Sequence, residues 1–306
     1  MKIKPGIKDV LWMAAGAAIL LVVIVAMLHF YKDWNPAAQL AFKARRGDLV
    51  GRMQLDLASA SETEKSAVLA ITDEESQKFA DQARAASAKV EQERRELGEL
   101  LAAGGTQGEK DLLAQFATAF AEFQHIDNDL LALAVKNTNL KASSLTFGPA
   151  AAALKEMDAA LARLMTDDAK VVRLADDARI AAWRLLALLP PHIAEEDEKK
   201  EDAMEALMAT EDAQVRKNLD MLAALPQFTS NPELATAAAR YAEFSKLKTQ
   251  ILALSRENTN VRSLSISLNQ KRKVTLVCQD ALNALQQAIQ AEPIAGVTYG
   301  KPMSPR

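Results

Sequence analysis

What most constrains this 306-residue chain is a stretch that it carries twice. Residues 122–141, ending in Lys136-Asn137-Thr138-Asn139-Leu140-Lys141, reappear without a gap 121 positions later as residues 243–262, ending in Glu257-Asn258-Thr259-Asn260-Val261-Arg262. The same offset pairs Phe120 with Tyr241, Met157 with Cys278, and Leu161 and Leu164 with Leu282 and Leu285. One offset held over that distance implies an internal duplication. Both halves must then fold into the same elements, which removes most architectures at once.

Those elements are helices. Ala, Leu, Glu, Gln, Lys and Arg dominate residues 49–291, and aromatics make up only 5% of the chain. That composition favours long helices, and the length suits two domains. The expected fold is all-α: an N-terminal transmembrane helix followed by two tandem up-down antiparallel helical bundles. Residues 1–35 form the cytoplasmic stub and membrane helix, 36–166 and 167–291 the two repeats, and 292–306 a flexible tail. A net charge of -3 with both signs interspersed offers no field for nucleic acid. The lone Cys278 excludes an internal disulfide and reads as a packed apolar side chain.

Residues 10–31 contain no Asp, Glu, Lys or Arg, and as a helix of about 33 Å they can cross a bilayer core. Trp12 at one end and Phe30, Tyr31 and Trp34 at the other supply interfacial aromatics. A cleaved signal peptide is the competing reading, but the apolar run exceeds a usual signal core and no small-x-small site follows it. Lys2, Lys4 and Lys8 favour an inside N-terminus. The expected location is therefore the inner, cytoplasmic membrane, crossed once, with the bulk of the chain periplasmic.

Helix ends can be read from caps and breakers. Thr72-Asp73-Glu74-Glu75 is a capping box that ends a first helix near Ile71. Opposite that break the second half has Pro190-Pro191, which should not sit inside a helix. Further helices are expected over residues 73–103, 109–146, with Gly148 as C-cap, and 150–189; whether Thr166-Asp167-Asp168 interrupts the last is left open. The second half adds helices over 193–225, 232–268 and 270–290, the middle one opened by Asn231-Pro232.

Each copy of the repeat carries Asn-Thr-Asn, poor helix formers, inside one of these helical segments. Phe123, Ile126, Leu130, Leu133, Asn137 and Leu140 follow a three-four spacing, as do Phe244, Leu247, Ile251, Leu254, Asn258 and Val261, so the first Asn of each motif falls on the core seam. Two roles fit. Either Asn137 and Asn258 fix register by bonding across the bundle, or each joins the cation four residues on, Lys141 or Arg262, to line a cleft for a small carboxylate or other small molecule. On the second role the ligand-binding residues are Asn137, Thr138, Lys141, Asn258, Thr259 and Arg262. No catalytic or metal site and no cofactor is expected: Glu122-x-x-His125 has Glu243-x-x-Lys246 as its counterpart, His192 and His29 have no visible partner, and residues 195–202 read as a solvated acidic helix start.

The stretches Glu64-Lys65-Ser66-Ala67-Val68-Leu69-Ala70-Ile71-Thr72-Asp73, Leu131-Ala132-Leu133-Ala134-Val135-Lys136-Asn137-Thr138-Asn139 and Leu252-Ala253-Leu254-Ser255-Arg256-Glu257-Asn258-Thr259-Asn260-Val261-Arg262-Ser263-Leu264 resemble the four-helix-bundle sensor domain of bacterial methyl-accepting chemotaxis proteins. The resemblance covers roughly residues 10–290. It implies an extracytoplasmic ligand-sensing bundle in the inner membrane, working as a homodimer or with a partner receptor or kinase. Those receptors have a second membrane helix and a cytoplasmic signalling coiled coil, neither of which is read in this chain. The alternative is a structural or adaptor protein of the envelope that uses its helices to bind other proteins.

Overall fold

A computed structural model describes Val23 and residues 36–164 and 167–294. Among them there is no strand. The α-helices are α1 (Pro36–Leu69), α2 (Asp73–Gly104), α3 (Gln107–Ala134), α4 (Thr138–Leu145), α5 (Ala151–Arg163), α6 (Ala169–Ala194), α7 (Glu198–Ala223), α8 (Pro232–Glu257), α9 (Thr259–Ile266) and α10 (Arg272–Ala291). Two π-helical segments, Thr146–Ala150 and Ser267–Lys271, join α4 to α5 and α9 to α10. No described helix is long and apolar enough to cross a membrane. The expected membrane segment, residues 10–31, lies outside the described residues except for Val23.

Several starts obey their caps. The Thr72 hydroxyl accepts from the Glu75 N–H at 3.2 Å, and Asn231 accepts from the N–H groups of Glu233 and Leu234 at 2.9 and 3.2 Å. Asp168 accepts from the Lys170 N–H at 2.9 Å, which starts α6 afresh and settles the open interruption. A capping box that the sequence reading passed over opens α3: the Glu109 N–H donates to the Thr106 hydroxyl at 3.2 Å, and the Thr106 N–H donates to the Glu109 carboxylate at 2.8 Å. Just before it a Cβ on Gly105 would come within 2.9 Å of the Leu101 Cα, so this corner requires glycine.

Three expectations about helix ends are corrected. Pro190 and Pro191 lie inside α6, which runs on to Ala194. They fall in its last two turns, and the carbonyls they leave unpaired belong to Leu186 and Ala187, which are not buried, so water can take those bonds. Gly148-Pro149 does not end a helix; the chain passes through the wider π turn. The matching segment Ser267–Lys271 holds no proline, so Pro149 alone does not account for it. The helices expected over 109–146 and 232–268 are each broken at the motif, where Asn137 (φ 52°) and Asn258 (φ 50°) are left-handed. Asn is one of the few side chains that tolerates this conformation.

By compactness the described residues form two units that cut across the sequence halves. Unit one takes residues 36–58, 87–120 and 276–294, and unit two takes residues 59–86 and 121–275. Unit one buries Leu49, Met53, Leu57, Val90, Leu97, Leu101, Phe116, Phe120, Cys278, Leu282 and Leu285, with the Phe116 and Phe120 rings stacked at 5.3 Å. Glu292 and Ile294, expected in a loose tail, are packed: Ile294 is buried and Glu292 bonds Arg46. In unit two α5 packs on α8 and α6 on α7 around Leu154, Met157, Leu161, Leu174, Leu185, Val215, Leu222, Tyr241, Phe244 and Ile251. The expected seams hold at Phe123, Leu130, Asn137, Phe244, Ile251 and Asn258, which are buried, but between them Asp127, Ala134 and Ser255 are buried where Ile126, Leu133 and Leu254 are only half-buried.

Candidate functional site

The two Asn-Thr-Asn segments meet in unit two. Beyond each left-handed Asn a short helix begins, and its first N–H groups have no partner within the helix. Each helix supplies the other's caps. The Thr138 N–H donates to the Thr259 hydroxyl at 3.2 Å and the Thr259 N–H to the Thr138 hydroxyl at 3.1 Å. The Asn139 N–H donates to Asn260 Oδ1 at 3.2 Å, and the Asn260 N–H to Asn139 Oδ1 at 3.1 Å. Two positive helix ends thus face each other, and the side-chain oxygens between them offset the repulsion.

The remaining amide groups close a ring. Asn139 Nδ2 donates to Asn258 Oδ1 at 2.7 Å and to the Ile193 carbonyl at 2.6 Å, while Asn260 Nδ2 donates to Asn137 Oδ1 at 3.0 Å. Asn258 Nδ2 donates to the Glu195 carbonyl at 2.5 Å, and Asn137 Nδ2 to Asp73 at 3.0 Å. The end of α6 and the start of α2 are thereby tied to the knot. Nearby, the Ser76 hydroxyl reaches the carbonyls of Ala67 and Ala134 at 2.9 and 3.2 Å.

Of the six predicted site residues, the fold brings together Asn137, Thr138, Asn258 and Thr259, all buried. Lys141 and Arg262 are exposed. Lys141 pairs with Asp73 at 2.9 Å and donates to the Lys136 carbonyl at 2.8 Å. Lys141, then Asn137, hold the Asp73 carboxyl below its ordinary range. With their amides engaged, Asn137 and Asn258 have the geometry of register-fixing residues. Asn258→Gly is expected to cost about 1–3 kcal/mol for the broken amide bonds. Asn258→Ala should cost about 1 kcal/mol more, because it adds a Cβ to a left-handed residue. Urea titrations followed by circular dichroism would read both losses.

His192, which looked partnerless in the sequence, is fully buried with Nδ1 2.7 Å from the Ser255 hydroxyl and Nε2 3.0 Å from Glu205. Serine, histidine and carboxylate in contact invite a catalytic reading. Ser255 and His192 are both sealed from solvent, so the hydroxyl cannot meet a substrate. The group instead braces α6 against α8, with Arg256 bonding Glu205 at 2.7 Å, Asp202 at 2.6 Å and Glu201 at 3.2 Å. Burial pushes the Glu201 carboxyl up, against the pull of His192 and Arg256. The acidic run is therefore not wholly solvated: Asp197 caps α7, but Glu201 is 3% exposed.

A second polar group joins α7 to α8. Asp212 accepts from the Tyr241 hydroxyl at 2.6 Å, Lys248 at 3.0 Å and Arg216 at 2.8 Å. Burial opposes its charge, but Arg216, Tyr241 and Lys248 outweigh it and lower the carboxyl to about 2. Lys248, which is half-buried, lies at the position offset by 121 from Asp127, an ionisable residue that is buried.

This all-helical arrangement, with capped helix pairs held by polar braces, bears on kinship. Residues 55–183 match the family model of a four helix bundle sensory module for signal transduction. The resemblance to chemoreceptor sensor domains thus holds over that span, and the chain carries a sensor-like helical module. No curated protein and no solved structure matches the chain.

Proposed function

We propose that the protein is a single-pass, inner-membrane-anchored sensor module whose helices lie outside the cytoplasm and bind a small molecule. The observation that carries this reading is the match of residues 55–183 to a sensory module. The uncharged stretch 10–31 supports the anchor, and the lysines before it support an inside N-terminus. A homodimer, or a partner receptor or kinase, passes the signal on. The backbone breaks at Asn137 and Asn258 and the two π segments, each pair 121 residues apart, support descent from one copied module.

In this reading Asn137, Thr138, Asn258 and Thr259 build the framework, while exposed Lys141 and Arg262 on its rim supply cations for a carboxylate. No catalytic step is assigned. The test is a thermal-shift screen of the purified full chain in detergent against organic acids, amino acids and aromatics. A ligand selective for the folded chain is expected to raise the melting temperature. Lys141→Ala and Arg262→Ala should each cut that rise without lowering the ligand-free melting point. Phe147 and Leu268, at the same position of the two copies, are 70% and 56% exposed, which favours the adaptor as the second reading. No hit in the screen, with a protein captured in membrane pull-downs that Phe147→Ser abolishes, would select the adaptor.

A further inference from the structure

Within unit two three ionisable side chains from separate elements meet out of water. Glu64 of α1 is 0% exposed, and Asp127 of α3 and Lys271 of the second π segment are each 2% exposed. The Lys271 ammonium pairs with Asp127, lies 3.4 Å from the Phe123 carbonyl and stands 3.2 Å from the centroid of the Phe123 ring. Glu64 has no such contact. Both its oxygens are buried and take no ion pair among the described residues, and the Ser267 hydroxyl stands beside them.

The charge count is two carboxyls to one ammonium. The other charged groups that face the cluster are Lys65 of α1, which is exposed, and Arg84 of α2, which is half-buried and paired with Asp81 at 3.1 Å. Cations so well solvated do little to hold a second dry carboxylate. The fold does not require the charges either. At the offset of 121 residues Glu64 has Leu185 as counterpart and Lys271 has Ala150, both fully buried, and Ala150 closes a π segment of the same length.

We propose that Glu64, Asp127 and Lys271 form a proton-linked latch: Glu64 holds a proton in the folded chain, and losing it loosens the π segment Ser267–Lys271. Burial is the main cause that pushes the Glu64 carboxyl up, and the neighbouring Asp127 adds to it, against Ser267 and Lys271. Burial pushes the Asp127 carboxyl up as well, against the pull of the Lys271 ammonium in direct contact with it. The sign follows. A carboxyl raised on folding contributes stability at low pH that is lost as pH climbs from its unfolded value through its folded one. Alkaline surroundings therefore favour the open latch, which makes unit two responsive to pH whether or not it binds a small molecule.

The test is amide hydrogen exchange on the full chain, comparing the wild type with Glu64→Gln, which keeps the shape but cannot ionise. After correction for intrinsic rates, exchange across residues 267–275 is expected to quicken about tenfold between about pH 6 and about pH 9 in the wild type and to stay flat in the variant. Equal acceleration in both proteins, or none in either, overturns the latch. Should Glu64→Gln fail to fold, infrared spectra of the wild type carrying isotope-labelled glutamate decide. A protonated glutamate carboxyl band at neutral pH supports the latch, and its absence overturns it.

Discussion

Lys271→Met is expected to destabilise unit two by about 3–5 kcal/mol, because it deletes the cation from a dry site and leaves two carboxyls behind. The side chains are close in volume, so little of the loss comes from a cavity. The electrostatic origin has a signature. Without the ammonium, Asp127 joins Glu64 as a buried carboxyl that must take up a proton to stay dry, so the variant should recover as pH falls and weaken further as pH rises. Lys271→Met combined with Asp127→Leu, which replaces the ion pair by apolar bulk, should regain most of the loss. Denaturant titrations at two pH values, with exchange at residues of unit two as the local readout, give the coupling between the sites. A double variant no better than the single one would mean that the damage is steric.

The sequence disclosed much of this fold and little of its polar interior. Thr72 and Asn231 announced their helices because a cap is a local device: the oxygen that accepts and the N–H that donates lie two or three residues apart. Thr106-x-x-Glu109 carried the same local signal, directly after Gly104-Gly105. Asn137 and Asn258 were rightly singled out as odd, but were placed on a continuous seam. Their tolerance of the left-handed conformation was the overlooked cue, and reading it would have ended the helices there.

Other features had no local cue at all. The reciprocal capping between Thr138 and Thr259 joins residues 121 apart, and no propensity or periodicity reports a partner at that distance. A π turn inserts one residue without a characteristic sequence, and so Ser267–Lys271 was divided between the end of one expected helix and the start of the next. Nothing in the sequence marks Lys271 off from Arg272 and Lys273 beside it; only the fold shows that it is buried. The compact units escaped for a related reason, since unit one is closed by residues 276–294, which the repeat assigns to the second half.

Arg46→Ala is expected to cost unit one about 3–5 kcal/mol, and the partners explain why so much rests on one side chain. Arg46 is 1% exposed, with Nη1 at 2.8 and 2.7 Å from the two oxygens of Glu109, Nη2 on Glu292 and the guanidinium 4.7 Å above the Phe42 ring. Removing it strands the Glu109 carboxylate, itself 1% exposed, with the Thr106 N–H as its remaining hydrogen bond among the described residues. The N-terminus of α3 then loses order along with the ion pair, because Glu109 serves as cap and counter-ion at once. Glu292→Gln should cost less than about 1 kcal/mol, since that carboxylate is partly in water. Arg46→Lys should fall between the two, keeping the charge but losing the planar fork that serves two carboxylates. Exchange at the amides of residues 107–112 separates these outcomes. Faster exchange in Arg46→Ala, with little change in Glu292→Gln, identifies Glu109 as the group that needs the cation, whereas equal effects would assign that role to the contact closing the end of α10.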